Sequence, residues 1–130
     1  MRATIAELQK SAKADPDTGE RRVARRVLEG LFVGLFEQGR DLLQTPKAAA
    51  GALKKFELAV QVAPDRPGAF FCLAWAYAIN GQKKKSLQAL QNATAKGFSD
   101  RDAIMANKAF DSLRNEPQYQ QIIQNLKGEH

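Results

Sequence analysis

Apolar positions recur at three- and four-residue spacing along almost the whole chain, and no segment shows the two-residue alternation of a half-buried strand. Ile5, Leu8 and Ala12 mark one side of a helix within residues 2–13. The run "ADPDTGE" breaks that pattern and offers Asp15, Pro16 or Thr18 as the start of the next helix. Val23, Val27, Phe32 and Leu35 then carry a single helical pattern from Glu20 to about Gln44, with no proline inside it. "QTPK" at 44–47 is the next break. A helix over about 47–62 should stop at "APDRPG", because Pro64 and Pro67 cannot continue a hydrogen-bonded ladder. The spacing predicts further helices over 68–80, stopped near Gly81, and over 83–96, ended by Gly97. A short helix near 100–107, a turn near 110–114 and a last helix over 117–127 complete an all-α chain.

The stretch "GAFFCLAWAYAI" departs from the usual amphipathic pattern. At 100° per residue, Phe70, Leu73, Ala74, Tyr77 and Gly81 fall on one side, and Phe71, Cys72, Trp75 and Ile79 on a second. A surface helix normally has one apolar stripe and one wet face. Burial of a Phe or Trp side chain contributes roughly 2–3 kcal/mol, so the second side needs a cover. Three covers fit the sequence: the N-terminal helices of the chain, a segment of a partner, or a second copy.

Overlaying the helix pairs reveals an internal repeat. Ala52, Phe56 and Ala59 recur 34 residues later as Ser86, Leu90 and Ala93, and Leu35, Gly39 and Leu42 recur 35 residues later as Phe70, Ala74 and Tyr77. The extra residue falls around Thr45 to Lys47. Two helices per 34-residue unit is the period of a tetratricopeptide repeat. The chain resembles that family in its large, Leu, small and aromatic positions (Phe70, Leu73, Ala74, Tyr77; in the first unit Leu35, Gly39, Leu42). The following small, large and small positions also agree (Ser86, Leu90, Ala93; Ala52, Phe56, Ala59), with Pro64 closing the first unit. It departs at Gln38, where Leu is usual, at Ser86, where Ala is usual, and at Phe98, where the closing Pro would fall.

The resemblance implies antiparallel hairpins stacked in a right-handed superhelix. Residues 1–30 would be an N-terminal helical extension, 31–64 and 65–98 two repeats, and 99–127 a degenerate repeat that caps the stack. Ile104 would hold a third-unit position, and Phe110, Leu113, Tyr119, Ile122, Ile123 and Leu126 would seal the end. Gly39 and Ala74 should lie where helices approach closely. The resemblance also implies a concave peptide-binding groove lined by Phe36, Glu37, Arg40 and Gln44 from the first unit and Phe71, Cys72, Trp75 and Ile79 from the second. The family's basic clamp on a C-terminal carboxylate does not fit, because Cys72 and Trp75 stand where polar groups would be needed and Arg40 is the one donor left.

Composition narrows the chemistry. One cysteine, Cys72, and one histidine, the terminal His130, cannot build a metal site of ordinary ligand spacing or a Ser-His-Asp or Cys-His catalytic set. No acids, bases and nucleophiles converge, so neither an enzyme nor a cofactor is expected. Asp100 and Asp102 read as helix-start residues. A lone cysteine suits a reducing compartment, and with no signal peptide or spanning run the expected location is cytoplasmic. His130 is compatible with a native terminus or a purification remnant.

With 20 basic and 14 acidic side chains the net charge is +6. "RRVARR" places Arg21 with Arg25 and Arg22 with Arg26, each one turn apart. It reads as a solvated face, or else as a patch for an acidic peptide or polyanion; nucleic acid is the less favoured partner. Gly30 and Gly34 read as a site of close helix packing. The functional expectation is a non-catalytic protein-interaction module binding an apolar or amphipathic segment. Its alternatives are a self-assembling subunit whose groove receives an N-terminal helix, and an Arg-dependent polyanion binder.

Overall fold

The computed structural model describes residues 4–12 and 19–127. The predicted cap at Asp15, Pro16 or Thr18 and the terminal His130 lie outside the described residues. Among the described residues there is no strand. Helix α1 spans Ile5–Ala12 and α2 spans Gly19–Leu43. A 3-10 turn at Pro46–Ala48 leads into α3, Ala49–Val62. Then come α4, Pro67–Ile79, α5, Lys83–Ala95, and α6, Arg101–Ala106. A 3-10 segment at Lys108–Leu113 precedes α7, Pro117–Lys127. Helix α2 runs unbroken through the boundary expected between an N-terminal extension and a first repeat.

The helix ends follow from local chemistry. Pro67 occupies the first turn of α4, where its missing amide hydrogen costs no helical bond. Gly81 (φ 77°) and Gly97 (φ 110°) take the left-handed conformation just past α4 and α5. At the first, the Gln82 amide donates to the Tyr77 carbonyl at 2.9 Å and the Gly81 amide to Ala78 at 3.1 Å. At the second, Phe98 donates to Ala93 at 2.9 Å and Gly97 to Thr94 at 3.1 Å. Both are Schellman closures, which satisfy carbonyls that the helix leaves free. Asp100 caps α6 by accepting from the Ala103 amide at 3.0 Å.

Consecutive helices pack in antiparallel pairs. Between α2 and α3, Leu42 lies against Gly51 and Gly39 against Phe56, so the two chains advance in opposite directions. Gly39 is a true close approach: a Cβ built there would lie 2.7 Å from the Phe56 ring, which is fully buried. Between α4 and α5 the equivalent small residue, Ala74, is also fully buried, and its carbonyl accepts from Ser86 Oγ at 2.7 Å. That bond accounts for a serine where alanine is usual, because the buried hydroxyl has its partner. Helix α4 packs against α3 as well as α5; Tyr77 donates to Glu57 at 3.1 Å, and Asn80 donates to the Ala49 carbonyl at 3.0 Å.

One large buried cluster joins these hairpins to the C-terminal segment through Phe56, Leu73, Leu90, Ile104, Phe110 and Leu113. A smaller one, built on Phe32, Ala59, Val62 and Ala69, takes Ile5 of α1 and Leu28 of α2 along its edge. Helix α1 lies along α2 and touches α3. Gln9 of α1 donates to the carbonyls of Gln61 (2.5 Å) and Val62 (3.4 Å), groups at the end of α3 with no onward helical donor. No helix of the described residues is long and apolar enough to cross a membrane.

Candidate functional site

Helix α4 lacks a polar face because it is enclosed on several sides. Ala69, Cys72, Leu73, Ala74 and Ala76 are all buried. Helices α3 and α5 cover two sides, and the 3-10 segment Lys108–Leu113 reaches a third. The Phe71 ring stacks on Phe98 with centroids 4.6 Å apart and planes 8° from parallel. It also meets Phe110 edge-on at 5.9 Å. Phe98 can do this because the glycine closure of α5 fixes the chain just before it. Phe71 is therefore packed against C-terminal aromatic residues rather than the N-terminal helices, one of the three covers the sequence leaves open.

Of the predicted groove residues, Phe71 is half-buried and Cys72 is buried. Phe71 is committed to that aromatic cluster. Cys72 is 6% exposed, and burial pushes its thiol up to about 11, with the nearby Arg40 guanidinium opposing part of that rise. At neutral pH it is a protonated, packed side chain rather than a nucleophile.

The other predicted residues divide by exposure. Phe36 is half-buried; it stacks on Phe32 at 5.5 Å and meets Phe56 edge-on at 5.9 Å. Arg40 is exposed and holds its guanidinium 5.8 Å from the centre of the Phe36 ring. Trp75 is half-buried with its ring 6.4 Å from Phe71, and Ile79, one turn on, is 38% exposed. Phe36 and Trp75 rest on the same buried cluster, and α2 and α4 touch directly, though far less than each touches α3. Glu37 and Gln44 are exposed. Val33, 41% exposed, lies on the same side of α2 as Phe36 and Arg40 and was not singled out by the repeat pattern. Phe36 and Trp75 thus keep part of their surface open, and Val33, Arg40 and Ile79 are exposed.

The four arginines do not form one patch. Arg21 is half-buried, whereas Arg22, Arg25 and Arg26 are exposed. Arg25 borders a cleft of about 360 Å³ with Leu28, Glu29 and the loop from Val62 to Arg66. Arg66 pairs with Glu29 and lies 4.9 Å from the Phe32 ring centre. Helical spacing sets Arg22 and Arg26 further round α2, on the side that also carries Val33 and Arg40.

The expected close packing at Gly30 and Gly34 is not found. A Cβ at either position would meet nothing within 4 Å. A second cleft of about 370 Å³, bounded by Arg101, Met105, Arg114, Tyr119 and Ile123 with two glutamines, carried no sequence signal. Tyr119 Oη and Arg101 Nε are buried beside it without hydrogen-bond partners, but neither atom is open to the cleft. Among the described residues no group of three or more His, Cys, Asp and Glu side chains could hold a metal ion. Comparison with protein-family models, curated proteins and solved structures gives no match.

Proposed function

We propose that the chain is a non-catalytic interaction module of the tetratricopeptide type, and that it binds an apolar or amphipathic segment of a partner across Val33, Arg40, Trp75 and Ile79. The repeat reading is supported by corresponding small positions. Gly39 and Ala74 occupy the same place in two hairpins, and each meets the second helix of its own pair at a buried contact. The single observation that carries the binding reading is that Trp75 is only half-buried and Ile79, one turn on, is 38% exposed on a helix whose other residues are buried or half-buried. Aromatic anchors at the centre of an interface commonly supply much of its binding energy. Arg40 adds a cation beside that apolar strip, which favours an amphipathic segment carrying an acidic group. A cytoplasmic setting suits a module whose only cysteine is a buried thiol.

Capture from native lysate with the wild-type chain, Trp75→Ala and Arg22→Ala tests the site. Trp75→Ala should lose most of the captured partner, and Arg22→Ala should keep it. Equal capture by Trp75→Ala, or loss confined to Arg22→Ala, would move the site to the arginine rows of α2. Thermal melts of each variant separate loss of contact from loss of fold.

A further inference from the structure

The exposed side of α2 remote from α3 carries a second surface, whose charged flank borders Val33 of the first. Val23 is 59% exposed, and Val27 and Leu31 are each 41% exposed. Gly30 and Gly34 fall among them by helical spacing. Neither glycine adopts a positive φ, and neither has a neighbour that a Cβ would disturb. Glycine weakens a helix interior wherever its conformational freedom is not needed. Two such residues in one 25-residue helix therefore serve no close packing among the described residues. Their effect is to leave a flat notch between apolar side chains, where another backbone can come close.

The charges beside that notch are ordered along the helix. Arg22 and Arg26 lie on its N-terminal half, and Glu37 and Asp41 on its C-terminal half. All four are exposed and make no ion pair among the described residues. Arg22, Arg26 and Glu37 share one flank of the strip, and Asp41 lies on the strip itself. We propose that two copies of the chain pair through α2, antiparallel about a two-fold axis near residue 32, with Gly30 and Gly34 at the crossing. At about 1.5 Å per residue, Arg26 lies about 9 Å from that axis and Glu37 about 7.5 Å from it; Arg22 and Asp41 lie at about 15 and 13.5 Å. The two-fold brings the same flank of both helices together. Arg26 of one copy then meets Glu37 of the other, and Arg22 approaches Asp41, twice over. Val23, Val27 and Leu31 close around the notch. A parallel pair would set arginine against arginine and carboxylate against carboxylate, so the charge order selects the antiparallel form.

Sedimentation equilibrium over about two decades of concentration reads the pairing directly. The wild-type chain should pass from one to two copies as concentration rises. Gly30→Lys puts a charged chain into the notch at a position with free space in the monomer, and should raise the dissociation constant at least about tenfold while circular dichroism and melting temperature are retained. Arg26→Glu should weaken pairing similarly, and Arg26→Glu with Glu37→Arg in the same chain should restore it. A wild-type chain that stays monomeric throughout overturns the proposal. So does Gly30→Lys pairing as well as wild type, or a double variant no better than Arg26→Glu.

Discussion

Glycine shows how one residue type serves opposite ends along a single helix. Gly39 makes room for the buried Phe56 ring, 2.7 Å from where a Cβ would stand. Gly39→Ala should therefore destabilise by about 1–3 kcal/mol through overpacking, even though alanine is the better helix former. Gly30→Ala meets open space, and should stabilise the monomer by up to about 1 kcal/mol. Urea midpoints at concentrations where the chain is monomeric test the pair. Equal shifts for both variants would refute the contact at Gly39. Cys72 gives a residue-scale pH test. Its thiol is raised from 9.0 to about 11 in the fold because burial opposes the thiolate. The folded chain thus holds a proton that the unfolded chain releases, so this contribution is complete below about pH 9 and falls away as pH rises toward about 11. Over that window the wild-type chain should lose up to about 2–3 kcal/mol more than Cys72→Ala. Parallel pH profiles of the two would contradict the burial of the thiol.

Helix boundaries were legible wherever a residue type has one dominant local use. Gly81 and Gly97 stop α4 and α5 because an L side chain rarely adopts their φ values, and Pro67 opens α4 because it needs no amide there. Contacts between distant residues were not legible. Nothing local in "GFSD" announces that Phe98 stacks on Phe71, since the contact depends on how α5 ends and where the 3-10 segment returns. Nor does the Gly30–Gly34 spacing say whether a neighbour approaches. Helical spacing alone sets Trp75 and Ile79 on the side of α4 that also carries Phe71 and Cys72, whereas the stacking of Phe71 on Phe98 and the burial of Cys72 depend on contacts from beyond the helix. Helix α1 corrects the sequence at this scale too, because it lies on α2 and ties to the end of α3 rather than resting over Trp75. Removing residues 1–12 should lower the melting temperature by uncovering the Phe32 cluster, yet leave the emission maximum of Trp75 unchanged. A red shift of that emission on truncation would place the N-terminal segment over α4 instead.

At the scale of the whole molecule, α4 is the pivot. It joins the α2–α3 hairpin to α5, and its Phe71 packs against the C-terminal aromatic residues Phe98 and Phe110. The three- and four-residue spacing of apolar positions matches this succession of helices, which is why so much of the element order could be read from periodicity alone. The chain's exposed apolar residues divide between two proposed tasks, Trp75 and Ile79 for a partner segment and the outer face of α2 for a second copy, and the two surfaces meet at Val33. Trp75 is the only tryptophan in the chain, so its fluorescence reports on the first of these without a label. The captured partner should be added back to the purified chain while emission and acrylamide quenching are followed at a concentration where α2 pairing is held constant. Binding across Val33, Arg40, Trp75 and Ile79 predicts a blue shift and loss of quencher access that saturate with the partner, because the half-exposed indole becomes buried. Saturable binding, measured independently by anisotropy of the labelled partner, with no change in Trp75 emission or quenching would contradict it.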